Sequence, residues 1–470
     1  MQVIKKNVVL VRLKNPTLNI VTPPLGIGYL LKALKILKDI NPIFLDFHLK
    51  NIDEIHMVEY LKKLNPMIIG FQLFSIDYIR FKKILPLVKK ILPHTKLIAG
   101  GPHASALPEF ILQQNPALDY VICGEGEVAL PMLVEFLNND GNINDIPNLV
   151  YRAAGKYIKN QIELIDITKY GSPDWESLKP DKYPSIQHGT FHKSTKVVPI
   201  ITSRGCPYPC TFCAGFISTG KKIRTRIVED VVSEIEFLRQ TYDFEEFIIE
   251  DENFTFYKER VIQFANEIKR RKINCFFSFP NGIRLDRIDE DIVESLKNMG
   301  TYMVALGIES ISNNTLARMG KTWDRNDIIN KVNLFKKYRI IVQANFILGF
   351  RDDTIKDIKE SIDFAMELNI DQVYFGNYIP LPGTKDFNIL IENNEISLED
   401  IDWNNYSAFY GSIPYHPKNI SSDELLILIR KATKRFYFRP KIFLKFLCRT
   451  TRPVFIKSSL FRLVSLFFNK

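Results

Sequence analysis

Three of the six cysteines in this 470-residue chain fall inside Ser203 to Cys213, SRGCPYPCTFC, spaced C-x3-C-x2-C. Thiolates gathered this closely hold metal. Structural zinc takes four ligands, commonly in C-x2–4-C pairs, so three cysteines leave one position open. In an iron–sulfur cube the open position is an iron free to bind a molecule that is not protein. Pro207 and Pro209 lie between the first two thiols. They stiffen the loop beforehand, which lowers the entropy lost on binding. Zinc with a distant fourth ligand and inert buried thiols are the alternatives. Cys123, Cys275 and Cys448 stand apart and are expected in the core. Their isolation speaks against a second cluster, and the whole set suits a reduced cytosol better than a disulfide framework.

Regular elements must position that loop. Residues 1–138 alternate Val/Ile-rich runs, at 7–13, 42–46, 67–73, 95–99 and 119–123, with helical patterns such as 25–38. Strands buried on both faces read this way, and five such units predict a doubly wound, Rossmann-like α/β domain. Residues 139–196 are turn-rich and read as a connector containing a hairpin around Ala153-Ala154-Gly155. From Val197 the alternation resumes, with strands beginning near Val197, Glu246, Cys275, Tyr302, Ile341 and Gln372. Six strand–helix units over 197–415 predict a partial, TIM-like (β/α)6 barrel, whose chemistry belongs at the carboxyl ends of its strands. Cys206 lies just past the first of them. Residues 416–470 read as a helical region that begins with a capping box, Ser421-x-x-Glu424.

The cysteine stretch resembles the radical S-adenosylmethionine superfamily, whose C-x3-C-x-aromatic-C motif is matched by Cys206, Cys210, Phe212 and Cys213. The resemblance implies a 4Fe–4S cluster on the three cysteines, with S-adenosylmethionine chelating the fourth iron and Phe212 beside the adenine. One electron would then release a 5′-deoxyadenosyl radical that takes a hydrogen atom from substrate. Further segments match the superfamily in order. In FIIEDENF, residues 247–254, Asp251, Glu252 and Asn253 are candidates for the methionine amine, although the segment departs from the Gly-Gly-Glu of many members. Arg284 after the third strand is the candidate for the carboxylate, Glu309 after the fourth for the ribose, and NFILGF at 345–350 for the adenine.

The first domain resembles the cobalamin-binding domain that precedes one branch of this superfamily. The matching segments are PPLGIGYL at 23–30, GFQLFS ending at Ser75, AGGPH at 99–103 and YVICGEGE at 120–127. Gly100 and Gly101 would let a bulky nucleotide tail approach the sheet end, and His103 is the candidate side-chain contact. Asp46-x-His48-x-x-Asn51 is similar to a cobalt-ligating D-x-H-x-x-G motif. It ends in Asn rather than Gly and follows the second strand, so His48 is expected at the surface or in a loop.

The net charge is +10, but residues 430–470 carry twelve Lys/Arg and no acid, leaving 51 basic and 53 acidic residues elsewhere. A near-neutral body argues against nucleic acid as a partner. The tail interleaves its charges with aromatics, a pattern that suits either a solvated helical cap or a membrane-surface contact. No apolar run reaches the roughly 20 residues of a membrane span. The expected protein is a cytoplasmic cobalamin-dependent radical S-adenosylmethionine enzyme, with peripheral contact at the inner membrane face as the tail's second reading. It is expected to take electrons from a flavodoxin- or ferredoxin-type donor and to act on a small-molecule or lipid-like substrate. Methyl transfer to an unactivated carbon is the leading reaction. Oxidative cyclisation of the anaerobic porphyrin cyclase type, or ring rearrangement, comes second, and a non-catalytic cluster or cobalamin sensor third. A methylthiotransferase is disfavoured, since no second cluster site is present.

Overall fold

A computed structural model describes residues 5–14, 21–50, 52–184, 192–407 and 412–450, with side chains to residue 445. The close of the tail, residues 451–470, and the side chain of Cys448 lie outside the described residues. The first sheet runs β2 (Ile40–Asp46), β1 (Lys6–Arg12), β3 (Ile68–Gln72), β4 (Lys96–Gly100) and β5 (Tyr120–Ile122), all parallel. Sequence order reverses between β1 and β3, and the ligand crevice of a doubly wound sheet opens at such a switch point. The hairpin expected in the connector, β6 (Leu149–Ala153) and β7 (Lys156–Lys159), pairs antiparallel onto β5 and lengthens this sheet to seven strands.

The second sheet has six parallel strands in the order β15 (Gln372–Asn377), β14 (Ile341–Leu348), β13 (Thr301–Glu309), β12 (Phe276–Ile283), β11 (Glu246–Ile249) and β8 (Val197–Ile200). Each strand neighbours its predecessor and adjacent strands are joined through helices, which is the expected partial barrel. The period-2 rule sorts its side chains. On β14, Val342, Ala344, Phe346 and Leu348 are buried in the helix-facing core, while Gln343, Asn345 and Ile347 are half-exposed toward the lumen. Between β8 and β11 in sequence, β9 (Ser203–Arg204) and β10 (Arg224–Thr225) form a two-stranded antiparallel ribbon.

The amino end of the barrel is closed by a polar knot. Glu246 accepts from Tyr302 Oη at 2.7 Å and from the Lys193 and Ser194 amides at 2.7 and 3.0 Å, beside His192 Nδ1 at 2.8 Å. The helix Ser422–Tyr437 caps the barrel flank. Its Ser421 caps the Glu424 amide as expected, Leu425 and Phe436 are buried, and Tyr437 Oη donates to the Val373 carbonyl at 3.0 Å. No helix among the described residues is long and apolar enough to cross a membrane.

Gly300 follows the helix Glu290–Asn298 with φ 103°, and a Cβ there would meet the Cys275 carbonyl at 2.3 Å. Gly300→Ala is therefore expected to cost roughly 1–3 kcal/mol, read as a lowered denaturant midpoint. Gly26→Ala, in the helix Leu25–Leu34 with nothing within 4 Å of its Cβ, should be neutral or stabilising by up to about 1 kcal/mol.

Candidate functional site

The loop between β9 and β10 carries all three clustered cysteines, at the carboxyl end of β8. Cys206 and Cys210 are half-buried and Cys213 is exposed. Burial pushes the Cys206 thiol up, with Cys210 adding to it, while the Arg284 guanidinium pulls it down. Arg284 Nη1 lies 3.4 Å from Cys210 Sγ. Its guanidinium stacks 3.4 Å from the Tyr208 ring centroid and is held by Asp286 at 3.0 Å. Among the described residues no three His, Cys, Asp or Glu side chains converge on a single ion. A cube binds each thiolate to a different iron, so it does not ask three thiols to converge on a single ion.

The end of β11 supports this loop. Asp251, expected at a ligand, instead accepts from the Thr202 amide and from the Thr202 and Ser203 hydroxyls, each at 2.6 Å. It fixes the chain that leads into the cysteines. Glu252 accepts from the Gly205 amide at 3.1 Å and Thr219 Oγ1 at 2.8 Å, and burial raises its pKa. A Cβ on Gly215 would lie 3.6 Å from both Cys213 Sγ and Glu252 Cγ, so Glu252 is beside the third thiol. Asn253 is 1% exposed, and neither of its carboxamide atoms has a partner. A buried amide costs free energy unless bonded, and Asn253 shares this state with the Thr255 hydroxyl two residues on.

Glu309 ends β13 in the left-handed region, φ 67°. Such a residue is held there by its surroundings, and these conformations cluster at ligand sites. Lys321 Nζ donates to Glu309 Oε1 at 2.9 Å and to the Gly307 carbonyl at 3.0 Å. The same ammonium stands 5.6 Å from the Phe212 ring and 5.5 Å from Trp323, and Lys321 is only 6% exposed. Phe212 meets Phe350 edge-on at 6.2 Å. Lys321 gave no sequence signal; it is a lone lysine made central by the turn after the helix Asn313–Met319.

The first sheet's carboxyl edge and the ribbon side of the second domain wall one shared cavity. Its volume is about 280 Å³. Gly70, Gly100 and Gly101 line it from one side, and Ser203, Thr219 and Glu252 from the other. Gly101 has φ 97°, and a Cβ there would press the Leu73 carbonyl at 3.0 Å. Gly101 is thus required by its own backbone, whereas a Cβ on Gly100 would meet only the Ile122 carbonyl, at 3.7 Å. Ser75 and His103 do not line it. They bond each other, Oγ to Nδ1 at 2.9 Å, and His103 packs between Trp403 at 4.8 Å and Tyr78 at 5.0 Å. His48 sits half-buried in the helical turn Phe47–Lys50, also away from the cavity.

Comparison with known proteins agrees with this geometry. The radical SAM superfamily model matches residues 200–365 and the B12 binding domain model residues 16–134. An uncharacterized methyltransferase of Pyrococcus horikoshii is 30% identical over 367 residues, 77% of this chain and 76% of the relative. The anaerobic magnesium-protoporphyrin IX monomethyl ester cyclase of Rubrivivax gelatinosus is 26% identical over 90% of this chain and 75% of its own. The radical S-adenosylmethionine methyltransferase TsrM of Kitasatospora setae, solved with cobalamin and a 4Fe–4S cluster, superposes with TM-score 0.68 at 16% identity, covering 93% of this chain and 82% of its own. The last is a likeness of fold. The chain belongs to the radical S-adenosylmethionine enzymes that carry a cobalamin-binding domain. The residues fit the three cofactors of that family: three cysteines on one loop, with Arg284 against Cys210 and Glu252 against Cys213, and a largely apolar cavity across the seam whose lining includes Gly70, Gly100 and Gly101.

Burial holds His103 neutral, with a pKa lowered to about 3. Unfolded, it would take up a proton near pH 6.5. Between those values the unfolded chain binds the extra proton, so stability falls as pH falls, by at most about 1.4 kcal/mol per unit. Thermal midpoints of wild type and His103→Asn from pH 7 to pH 4 should converge; parallel curves would assign the acid sensitivity elsewhere.

Proposed function

We propose that this protein methylates an unactivated carbon of a small molecule, using cobalamin and S-adenosylmethionine together. The observation that carries the reading is the shared cavity: one wall is the glycine-bearing edge of the first sheet, the other is the backbone that leads into and out of the cysteines. When bound, the cluster with S-adenosylmethionine supplies a hydrogen-atom acceptor, and cobalamin a methyl donor. The chain's own contribution is placement. Arg284 is set to pair a carboxylate beside Cys210, Asn253 to receive a hydrogen bond, and Glu309, held by Lys321, to accept from hydroxyls. Gln343 and Asn345 offer neutral hydrogen bonds to a substrate inside the lumen. An external one-electron donor is required.

A cyclisation without methyl transfer is the second reading, supported by the cyclase relatives that align over 90% of the chain. Products distinguish the two. Methylation should yield 5′-deoxyadenosine and S-adenosylhomocysteine together, and 5′-deoxyadenosine alone would favour cyclisation. Cys213→Ala should abolish both products and the cluster absorbance.

The exposed face of the C-terminal helices supports a peripheral membrane contact. Ile427, Phe438 and Leu444 are 48, 53 and 60% exposed, among Lys431, Lys434 and Lys441. Cations near anionic lipid gain about 1 kcal/mol each, and apolar side chains add insertion. Truncation before this region would strip Leu425 and Phe436 from the core, so point variants are the cleaner probe. Phe438→Ser/Leu444→Ser should lose flotation with phosphatidylserine vesicles while keeping the thermal midpoint; undiminished flotation would place the contact elsewhere.

A further inference from the structure

The ribbon that closes the cysteine loop is tied across the seam by four buried charges. Arg204 and Arg224 face each other in its register. Both reach the same carboxylate in the first domain: Glu125 accepts from Arg204 Nη1 at 2.9 Å and from Arg224 Nη1 at 2.5 Å. Glu127 accepts a further bond from Arg204 Nη1 at 2.7 Å, and the Tyr29 ring centroid lies 4.5 Å from the Arg204 guanidinium carbon. All four side chains are between 3 and 11% exposed. Two positive and two negative charges balance, so the group is tolerable only when complete; removing one partner strands a buried charge at a cost of about 3–5 kcal/mol.

The bonds continue to the cluster loop. Arg224 Nη2 donates to the Thr219 carbonyl at 2.6 Å, and Thr219 Oγ1 donates to Glu252, whose other oxygen accepts the amide of Gly205, one residue before Cys206. Glu125, Glu127, Arg204 and Thr219 also wall the shared cavity. The cavity is therefore complete only while the loop holds its present form.

We propose that this clasp makes the binding of the two cofactors cooperative, with Arg204 as the positioning residue. Filling the three thiols selects the loop form in which Arg204 and Arg224 engage Glu125, and that form completes the cobalamin cavity. A site competent for only part of the time binds more weakly by that fraction, and the coupling is reciprocal. The inference rests on reading the cavity as the cobalamin site.

The test is an anaerobic titration of the full chain with hydroxocobalamin, followed by visible absorbance, with the cluster reconstituted and with it removed. Wild type should bind at least about fivefold more tightly when loaded, the lower end of usual coupling. Glu127→Gln is isosteric and should still take up a full cluster, but its loaded-to-empty ratio should fall toward one. Arg204→Lys should do the same, because both carboxylates bond Nη1 at the far end of the guanidinium, which the shorter lysine does not reach, and an ammonium cannot lie flat on the Tyr29 ring; it decides the matter if Glu127→Gln takes up no cluster. A role in stability alone would weaken both states equally and preserve the ratio. That result, or equal affinities in wild type, would overturn the clasp. Failure of wild type to bind hydroxocobalamin in either state would overturn the reading of the cavity, and the clasp proposal with it.

Discussion

A loop that must set three thiols around one cluster makes few backbone bonds of its own, so it has to be held from outside. Here buried carboxylates hold it. Asp251 receives three hydrogen bonds from the two residues that lead out of β8, and Glu252 bridges the entry at Gly205 and the exit at Thr219. A carboxylate buried with its oxygens engaged is stable where it sits and costly to strip, which suits a support better than a ligand. The candidate ligand groups are the ones with capacity left over, such as the unpartnered amide of Asn253.

The same logic explains the seam. Neither sheet edge alone encloses a large planar ligand. The first domain contributes Gly70, Gly100 and Gly101 with apolar side chains such as Leu10, Phe71 and Ile98 and the carboxylates Glu125 and Glu127, and the second contributes Ser203, Arg204, Thr219 and Glu252. Apolar packing orients such surfaces only loosely, whereas paired charges fix a register, because any displaced arrangement leaves a charge unpaired. Glu125 and Glu127 supply that register. The connector adds to it: Tyr183 donates to Asp46, and Trp175 Nε1 donates to Glu234 at 2.6 Å, tying the segment between the sheets to both of them.

Much of this was legible in the sequence because it is periodic or contiguous. Alternating Val/Ile runs and amphipathic helices give the two parallel sheets, and the cysteine spacing gives the metal chemistry. Element ends are less legible. The first helix stops at Leu34, not near Lys38, and the short helix Asn313–Met319 escapes a reading based on long patterns. The hairpin at 149–159 was readable as a hairpin, but its partner strand β5 was not, since nothing local says which edge a hairpin joins.

Sequence by itself determined the class of chemistry, the order of the elements and the strand ends at which ligands belong, because each of these depends on neighbours in the chain. Tertiary structure alone decided which acids and bases meet. Asp251 looks like a ligand residue in its motif, yet it is engaged by Thr202 and Ser203, and His103 bonds Ser75 through Nδ1 and does not line the cavity. Lys321, Arg204 and Glu125 look ordinary, yet they sit at the centre of the site. A motif records residue type and spacing, whereas pairing between residues 12 to 99 positions apart depends on where the folded sheets bring side chains together, and burial then settles which of those contacts must be satisfied.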